Sequence, residues 1–554
     1  MRNYSTYLLS GLSATSYGFV SASAITFALV CTCLSTATFA DTSYQDLLAD
    51  EANGDDWLSY SGGYKSERFS PLTQVTPDNV DQLKVLWAYQ MQPTNINGAA
   101  LQETTPLVAA GIMYLTEAPS SVTALDARTG RLLWHYAPTI SNEVLNIGFP
   151  RINRGVALLD DKVYVATLDA RLIALDAGTG AVRWETTVAD NAVGFSLTLA
   201  PLALADKIIV GVSGAEAGVR GYIDAYDASN GERLWRTFTV PAPGEPGSET
   251  WQGDAWQTGG GSTWLTGSFD PELNLLYWTT GNPAPDWNGD LRPGDNLFTC
   301  AVLALNPDTG AMEWYFQYTP HDTHDWDANQ IPVLIDGQFN GQPRKLLALA
   351  NRNAFYYLLD RVTGEFLLGE AYSYQTWAEG IDANGRPIVL PNTEPSREGT
   401  LVWPSLQGAT NWFSPSYNPR TQQFFVPNRR MGSRYFKADA DYIPGQPFLG
   451  GGEQALDGDE ATGAIVALDG MSGRFLWEFE LQTPLWSGVM ATGGGLVFGS
   501  SNEGNFFALD ARTGDALWSF NTGAHVRTNP MGFAIEGEQR VAIVGGRTLF
   551  VFGL

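Results

Sequence analysis

Apolar and polar positions along this 554-residue chain recur in one phrase: an apolar run, an Asp-x-x-Thr-Gly turn, then a second short run ending in Trp. It reads VTALDARTGRLLW at Val122–Trp134, LIALDAGTGAVRW at Leu172–Trp184 and IDAYDASNGERLW at Ile223–Trp235. It returns in VLALNPDTGAMEW, IVALDGMSGRFLW and FFALDARTGDALW, ending at Trp314, Trp477 and Trp518. A weaker copy, YYLLDRVTGEFLL, ends at Leu368 where the others have Trp. Each copy predicts a β-hairpin, because Asp bonds the turn through its side chain and Gly supplies positive φ. The terminal Trp is placed to pack on a neighbouring unit.

A period of about 40–50 residues marks a solenoid or propeller. Trp87, in QLKVLWAY, reads as the tail of a first, degenerate unit, and the markers then number eight. Two gaps are long, Trp235 to Trp314 and Leu368 to Trp477. Each holds a second hairpin type, GSFDPELNLLYW (Gly267–Trp278) or PSYNPRTQQFFVP (Pro415–Pro427), together with inserted loops. The expectation is an all-β, eight-bladed propeller over residues 41–554, closed by pairing its N- and C-terminal segments.

Composition changes this picture only at its edges. Charged residues are 16% of the chain, with Gly 59 and Trp 18, which suits many turns and repeated aromatic packing. The net charge of −27 argues against nucleic-acid binding. It suits a basic protein partner or adaptation to salt. Residues 1–40 carry one charge, Arg2, an apolar AITFALV segment and a small-residue end, ATFA. They read as a secretory leader cleaved before Asp41, with a membrane anchor as the alternative. No other stretch is apolar enough to span a bilayer. Cys31 and Cys33 fall in the leader, so only Cys300 remains beyond it. No C-x-x-C-H occurs, which excludes covalently attached haem.

Four segments interrupt the repeats: Val212–Gly221, Thr279–Asn296, Thr319–Gln330 and Gly408–Pro419. Loops on a rigid scaffold carry function. Within them Glu216, Asn282, Asp325 and Asp327 form an all-oxygen set suited to a hard cation, although Asp and Asn also cap turns.

These segments resemble the pyrroloquinoline quinone (PQQ)-dependent methanol and ethanol dehydrogenases of the bacterial periplasm. The likeness rests on S-G-A-E, G-G-G-x-x-W, T-G-N-P-A-P with R-P-G-D-N, and T-P-H-D-x-x-D, in the family's order. It implies periplasmic oxidation of a small alcohol, with PQQ and one metal ion as cofactors and a c-type cytochrome as electron acceptor. It also implies the roles of individual residues. Glu216 and Asn282 match metal ligands, and Asp325 matches the catalytic base close to the metal. Trp264 matches the indole beneath the quinone, and Arg352 the donor to its reactive oxygens. Arg154 and Glu103 match contacts to the cofactor's carboxylates and ring. Thr198, Ser213, Gly214 and Ala215 match further polar and backbone contacts, and Asn411 and Trp486 the other side of the cofactor.

Asp327 sits where the likeness implies an additional carboxylate in lanthanide-dependent members, so a light lanthanide is expected, with calcium as the alternative. A two-residue slip in register would instead make Asp327 the base and leave Asn329 at the extra site. Two departures stand out. Gly148-Phe149 occupies the place of a vicinal disulfide, and His324 replaces a Trp on the expected substrate side. Two other readings stay open: a non-enzymatic scaffold of the outer-membrane assembly type, and a quinoprotein acting on sugars or polyols.

Overall fold

The computed structural model describes residues 41–92, 101–141, 151–456 and 461–554. The expected leader and the Gly148-Phe149 pair lie outside these described residues.

Each copy of the repeat is a hairpin. In the first, the strand Ser121–Asp126 pairs antiparallel with Leu132–Tyr136. Asp126 Oδ1 accepts the N–H groups of Arg128 at 3.0 Å and Thr129 at 3.2 Å. Gly130 completes the turn at φ 72°, a conformation open to Gly at little cost. Asp176, Asp227, Asp360, Asp469 and Asp510 accept the matching backbone donors in their own turns.

Two further antiparallel strands precede most of these hairpins. Among the described residues eight sheets contain four antiparallel strands, and one of them is extended by the short parallel strand Phe69–Ser70. The last sheet takes its fourth strand from the other end of the chain: Lys84–Gln90 pairs with Thr548–Gly553. Trp87 therefore belongs to the closing sheet rather than to a separate first unit.

The recurrent Trp joins one sheet to the next. A Cβ on Gly180 would lie 2.6 Å from the Trp134 ring, and Trp134 Nε1–H donates to Ala177 O at 2.9 Å. In the same way Trp87 meets Gly130, Trp184 meets Gly231, Trp235 meets Gly310, Trp314 meets Gly364 and Trp477 meets Gly514. Where Leu368 replaces Trp, Tyr356 fills the role, reaching Gly473 and donating its hydroxyl to Gly470 O at 2.8 Å. Trp518 packs edge-on against Phe552, 5.4 Å away. Followed round, these contacts lead from the last sheet back to the first, so the eight sheets form a closed ring with protected edges.

The long gaps hold additional structure. In the second, Thr400–Val402, Ser433–Lys437 and Gly451–Ala455 form a small sheet beside the ring. Its last two strands anchor both ends of residues 438–450, a loop that reaches the cavity described below. Among the described residues no helix is long and apolar enough to cross a membrane, and Cys300 is buried and free.

Candidate functional site

The loops that interrupt the repeats meet in a cavity of about 640 Å³. Of the residues expected from sequence, Glu103, Arg154, Thr198, Gly214, Glu216, Trp264, Asp325, Asp327, Arg352, Asn411 and Trp486 line it. Ser213, Ala215 and Asn282 stand behind this lining. Ser213 Oγ lies 2.9 Å from Thr198 Oγ1. Ala215 opens the short turn Ala215–Ala217, which presents Glu216 between Gly214 at φ 128° and Gly218 at φ 65°. Asn282 donates its main-chain N–H to Asp327 Oδ1 at 2.6 Å.

The acidic wall is organised by Arg352. Its guanidinium donates to Asp325 O at 2.7 Å and to Asn411 Oδ1 at 3.1 Å, and pairs with Asp327 Oδ2 at 3.1 Å. Asp327 Oδ2 also accepts Trp264 Nε1–H at 2.9 Å. Asp327 is thus held by three donors, whereas Asp325 faces the cavity with its side chain 17% exposed. Asp325 adopts φ 58°, the left-handed region that Asp enters more readily than most residues. Asn329 is fully buried, with Nδ2 donating to Ser262 O at 3.2 Å.

The opposite wall is cationic and aromatic. Arg154 pairs with Glu103 at 2.8 Å and donates to Thr198 Oγ1 at 2.9 Å. Its guanidinium lies 4.7 Å from the Trp264 ring centre and 5.3 Å from that of Trp412. Arg527 reaches Glu103 at 3.4 Å and lies 4.2 Å from the Trp486 ring centre. Sequence reasoning missed Arg527, which sits in no motif, and Trp412, which lies inside a segment already singled out. It also passed over Asp286 and Trp287, both in the cavity wall. His324 is not among the residues that line the cavity. Its ring stacks on Trp326 at 4.3 Å and its Nε2 lies 2.8 Å from Thr393 O, inside the protein.

Burial raises the proton affinity of the acids. Glu216 is pushed up to about 7, first by desolvation and then by the charge of Asp327. Asp325 is raised well above the usual carboxylate range by burial and by Asp327, with Arg352 opposing. Carboxylates in excess of the nearby cation make a wall that a bound cation would neutralise. Among the described residues no three Asp, Glu, His or Cys side chains come together closely enough to hold a metal ion by themselves. A cation here would need further oxygens, from an amide and from a second bound molecule. The buried Nε donors of Arg154 and Arg527 on the facing wall, and of Arg352 among the acids, have no protein partner. They fit a flat ligand carrying carboxylates or quinone oxygens.

A family model described as "PQQ: Glucose/ethanol/alcohol dehydrogenase, beta-propeller domain" matches residues 57–369 and 478–541. This chain belongs to the PQQ-dependent alcohol dehydrogenases. It is 39% identical to the quinoprotein alcohol dehydrogenase PedH of Pseudomonas putida, over 94% of this chain and 91% of that protein. It is 34% identical to a lanthanide-dependent methanol dehydrogenase of Methylacidiphilum fumariolicum, over 90% of this chain and 86% of the relative. A europium-containing methanol dehydrogenase superposes with a TM-score of 0.87 at 31% identity, covering 92% of this chain and 100% of that one. For a quinoprotein dehydrogenase the two walls divide the work: a cationic, aromatic wall suits the cofactor's rim and face, and an acidic wall suits a cation beside it.

Proposed function

We propose that residues 41–554 form a single PQQ-binding propeller that acts in the periplasm and oxidises a small alcohol with the help of one bound cation, a light lanthanide in preference to calcium. Electrons leave to a c-type cytochrome, whose basic surface the net charge of −27 would attract. The residues 1–40 serve as the leader.

The observation that carries this reading is the convergence of Glu216, Asp325, Asp327, Arg352 and Trp264 on one cavity. PQQ with its cation supplies the hydride acceptor and the Lewis acid. Arg154 and Arg352 bind and orient the cofactor through donors that have no protein partner. Trp264 offers a flat face, with its N–H committed to Asp327. Asp325 accepts the proton of the substrate hydroxyl from its place in the cavity wall. Arg352 fixes the Asp325 main chain and so the direction of its carboxylate. Asp327 and Glu216 supply the charge that favours a trivalent ion. The gapless register is supported by Asp325 and Asp327, which both line the cavity.

The test is reconstitution of the mature chain with PQQ and either lanthanum or calcium, following dye reduction over alcohols, polyols and aldehydes. Activity with lanthanum alone is expected. Activity with calcium alone would sink the metal preference, and no retained quinone with either ion would sink the enzymatic reading in favour of a scaffold.

A further inference from the structure

Asp286 has no role in the chemistry above, yet it is 1% exposed and lines the same cavity as Glu216, Asp325 and Asp327. Its Oδ1 is buried without a hydrogen-bond partner. It makes no ion pair among the described residues. Arg292 acts on the Asp286 carboxylate through its charge alone and bonds to other groups. Its guanidinium donates to Pro285 O at 3.0 Å, Asn296 Oδ1 at 2.9 Å and Asp286 O at 3.0 Å. These bonds grip the Asp286 main chain; the Asn282 side chain and the Arg292 charge favour the ionised carboxylate, whose Oδ1 still has no hydrogen-bond partner. On the next residue Trp287 N–H donates to Leu449 O at 3.0 Å, and Asn288 Nδ2 donates to Ala438 O at 2.8 Å. The loop is therefore fixed on both sides of Asp286, and Oδ1 keeps its place in the wall without a hydrogen-bond partner. A buried acceptor with no donor costs free energy unless a ligand answers it.

We propose that Asp286 is an additional carboxylate ligand of the cation in this cavity. The assignment rests on the reading that the cavity holds PQQ with a metal ion. Glu216, Asp286, Asp325 and Asp327, when ionised, outnumber Arg352 and the Arg292 that stands behind Asp286. A trivalent ion offsets more of this charge than a divalent ion does. Hard trivalent ions also accept many oxygen donors.

The experiment is equilibrium dialysis of the full mature chain with PQQ against a chelator buffer containing lanthanum or calcium. Bound metal is measured by plasma mass spectrometry and bound PQQ by absorbance. Asp286→Asn, which keeps size and removes charge, should weaken lanthanum binding by roughly tenfold or more, and calcium binding by less, while PQQ is still retained. Asp286→Ala, read in the same way, guards against a folding defect peculiar to Asn. Unchanged lanthanum affinity in both variants, with a wild type that binds quinone and metal, would overturn the role of Asp286 alone. A wild type that retains neither quinone nor lanthanum would overturn the reading of the cavity and this assignment with it.

Discussion

Replacing Asp327 with Ala separates structural from metal-directed roles in the acidic wall. The carboxylate accepts Asn282 N–H at 2.6 Å and Trp264 Nε1–H at 2.9 Å, and pairs with Arg352 at 3.1 Å. One buried donor left unsatisfied costs about 1–3 kcal/mol, and a buried ion pair broken on one side about 3–5 kcal/mol. These costs overlap, because Arg352 keeps its bonds to Asp325 O and Asn411 Oδ1. A loss of about 3 kcal/mol is expected without metal. At about 2.1 cal/mol/K of unfolding entropy per residue, a chain of this length turns that into a drop of roughly 3 °C in Tm. With PQQ and lanthanum the wild type gains stability from ligand binding that the variant loses in part. Lanthanum binding weakened about a hundredfold removes a further 2.7 kcal/mol or so, and the gap widens to roughly 5 °C. Differential scanning calorimetry of both proteins, with and without lanthanum, reads both gaps. An identical gap in the two conditions would refute the metal role and leave Asp327 as a structural acceptor.

Asp325→Asn preserves a residue that tolerates φ 58°, so quinone retention should persist while dye-linked turnover falls roughly a hundred- to ten-thousand-fold; undiminished turnover would remove Asp325 as the base. Trp134→Phe keeps the packing on Gly180 but loses the bond to Ala177 O, costing about 1 kcal/mol, whereas Trp134→Ala should cost about 3–5 kcal/mol, both measured by thermal denaturation. Asp50 is buried and pushed up to about 7 by desolvation, only partly offset by the Leu58 N–H and the Ser59 hydroxyl. A raised acid costs nothing below its unfolded value, loses stability as pH climbs from about 4 to 7, and pays in full above 7. Asp50→Asn should therefore match wild type near pH 4 and exceed it at pH 8, by up to about 4 kcal/mol; a pH-independent difference would refute that account.

The ring was legible because each unit writes its own interface. The Asp and Gly of the turn and the Trp of the return strand are local in sequence, and in the structure the Trp of one unit meets the Gly of the next. Even the imperfect copy ending at Leu368 kept its register, since Tyr356 supplies the missing ring from the facing strand. The site was legible as segments rather than as geometry. The motifs marked which loops carry chemistry. They could not tell that Asn282 would approach Asp327 through its main chain, or that His324 would turn inward onto Trp326. Those outcomes depend on which neighbour offers a donor or a flat face, and the neighbour comes from another loop.

Arg527 shows where this limit lies. It belongs to no motif, and it acquires meaning only because the chain closes on itself. Glu103 precedes the first sheet, Arg527 precedes the last, and the two meet at 3.4 Å across the seam. That seam is sealed by Lys84–Gln90 pairing with Thr548–Gly553. Glu103 then also holds Arg154 at 2.8 Å, and Arg154 lies over Trp264. The cationic wall therefore gains its Arg527 only when the two ends of the chain come together. A lesion in the closing strand pair should thus reach the cavity as a lost Glu103–Arg527 contact. Closure of the ring is what brings Arg527 to Glu103 in the cationic wall.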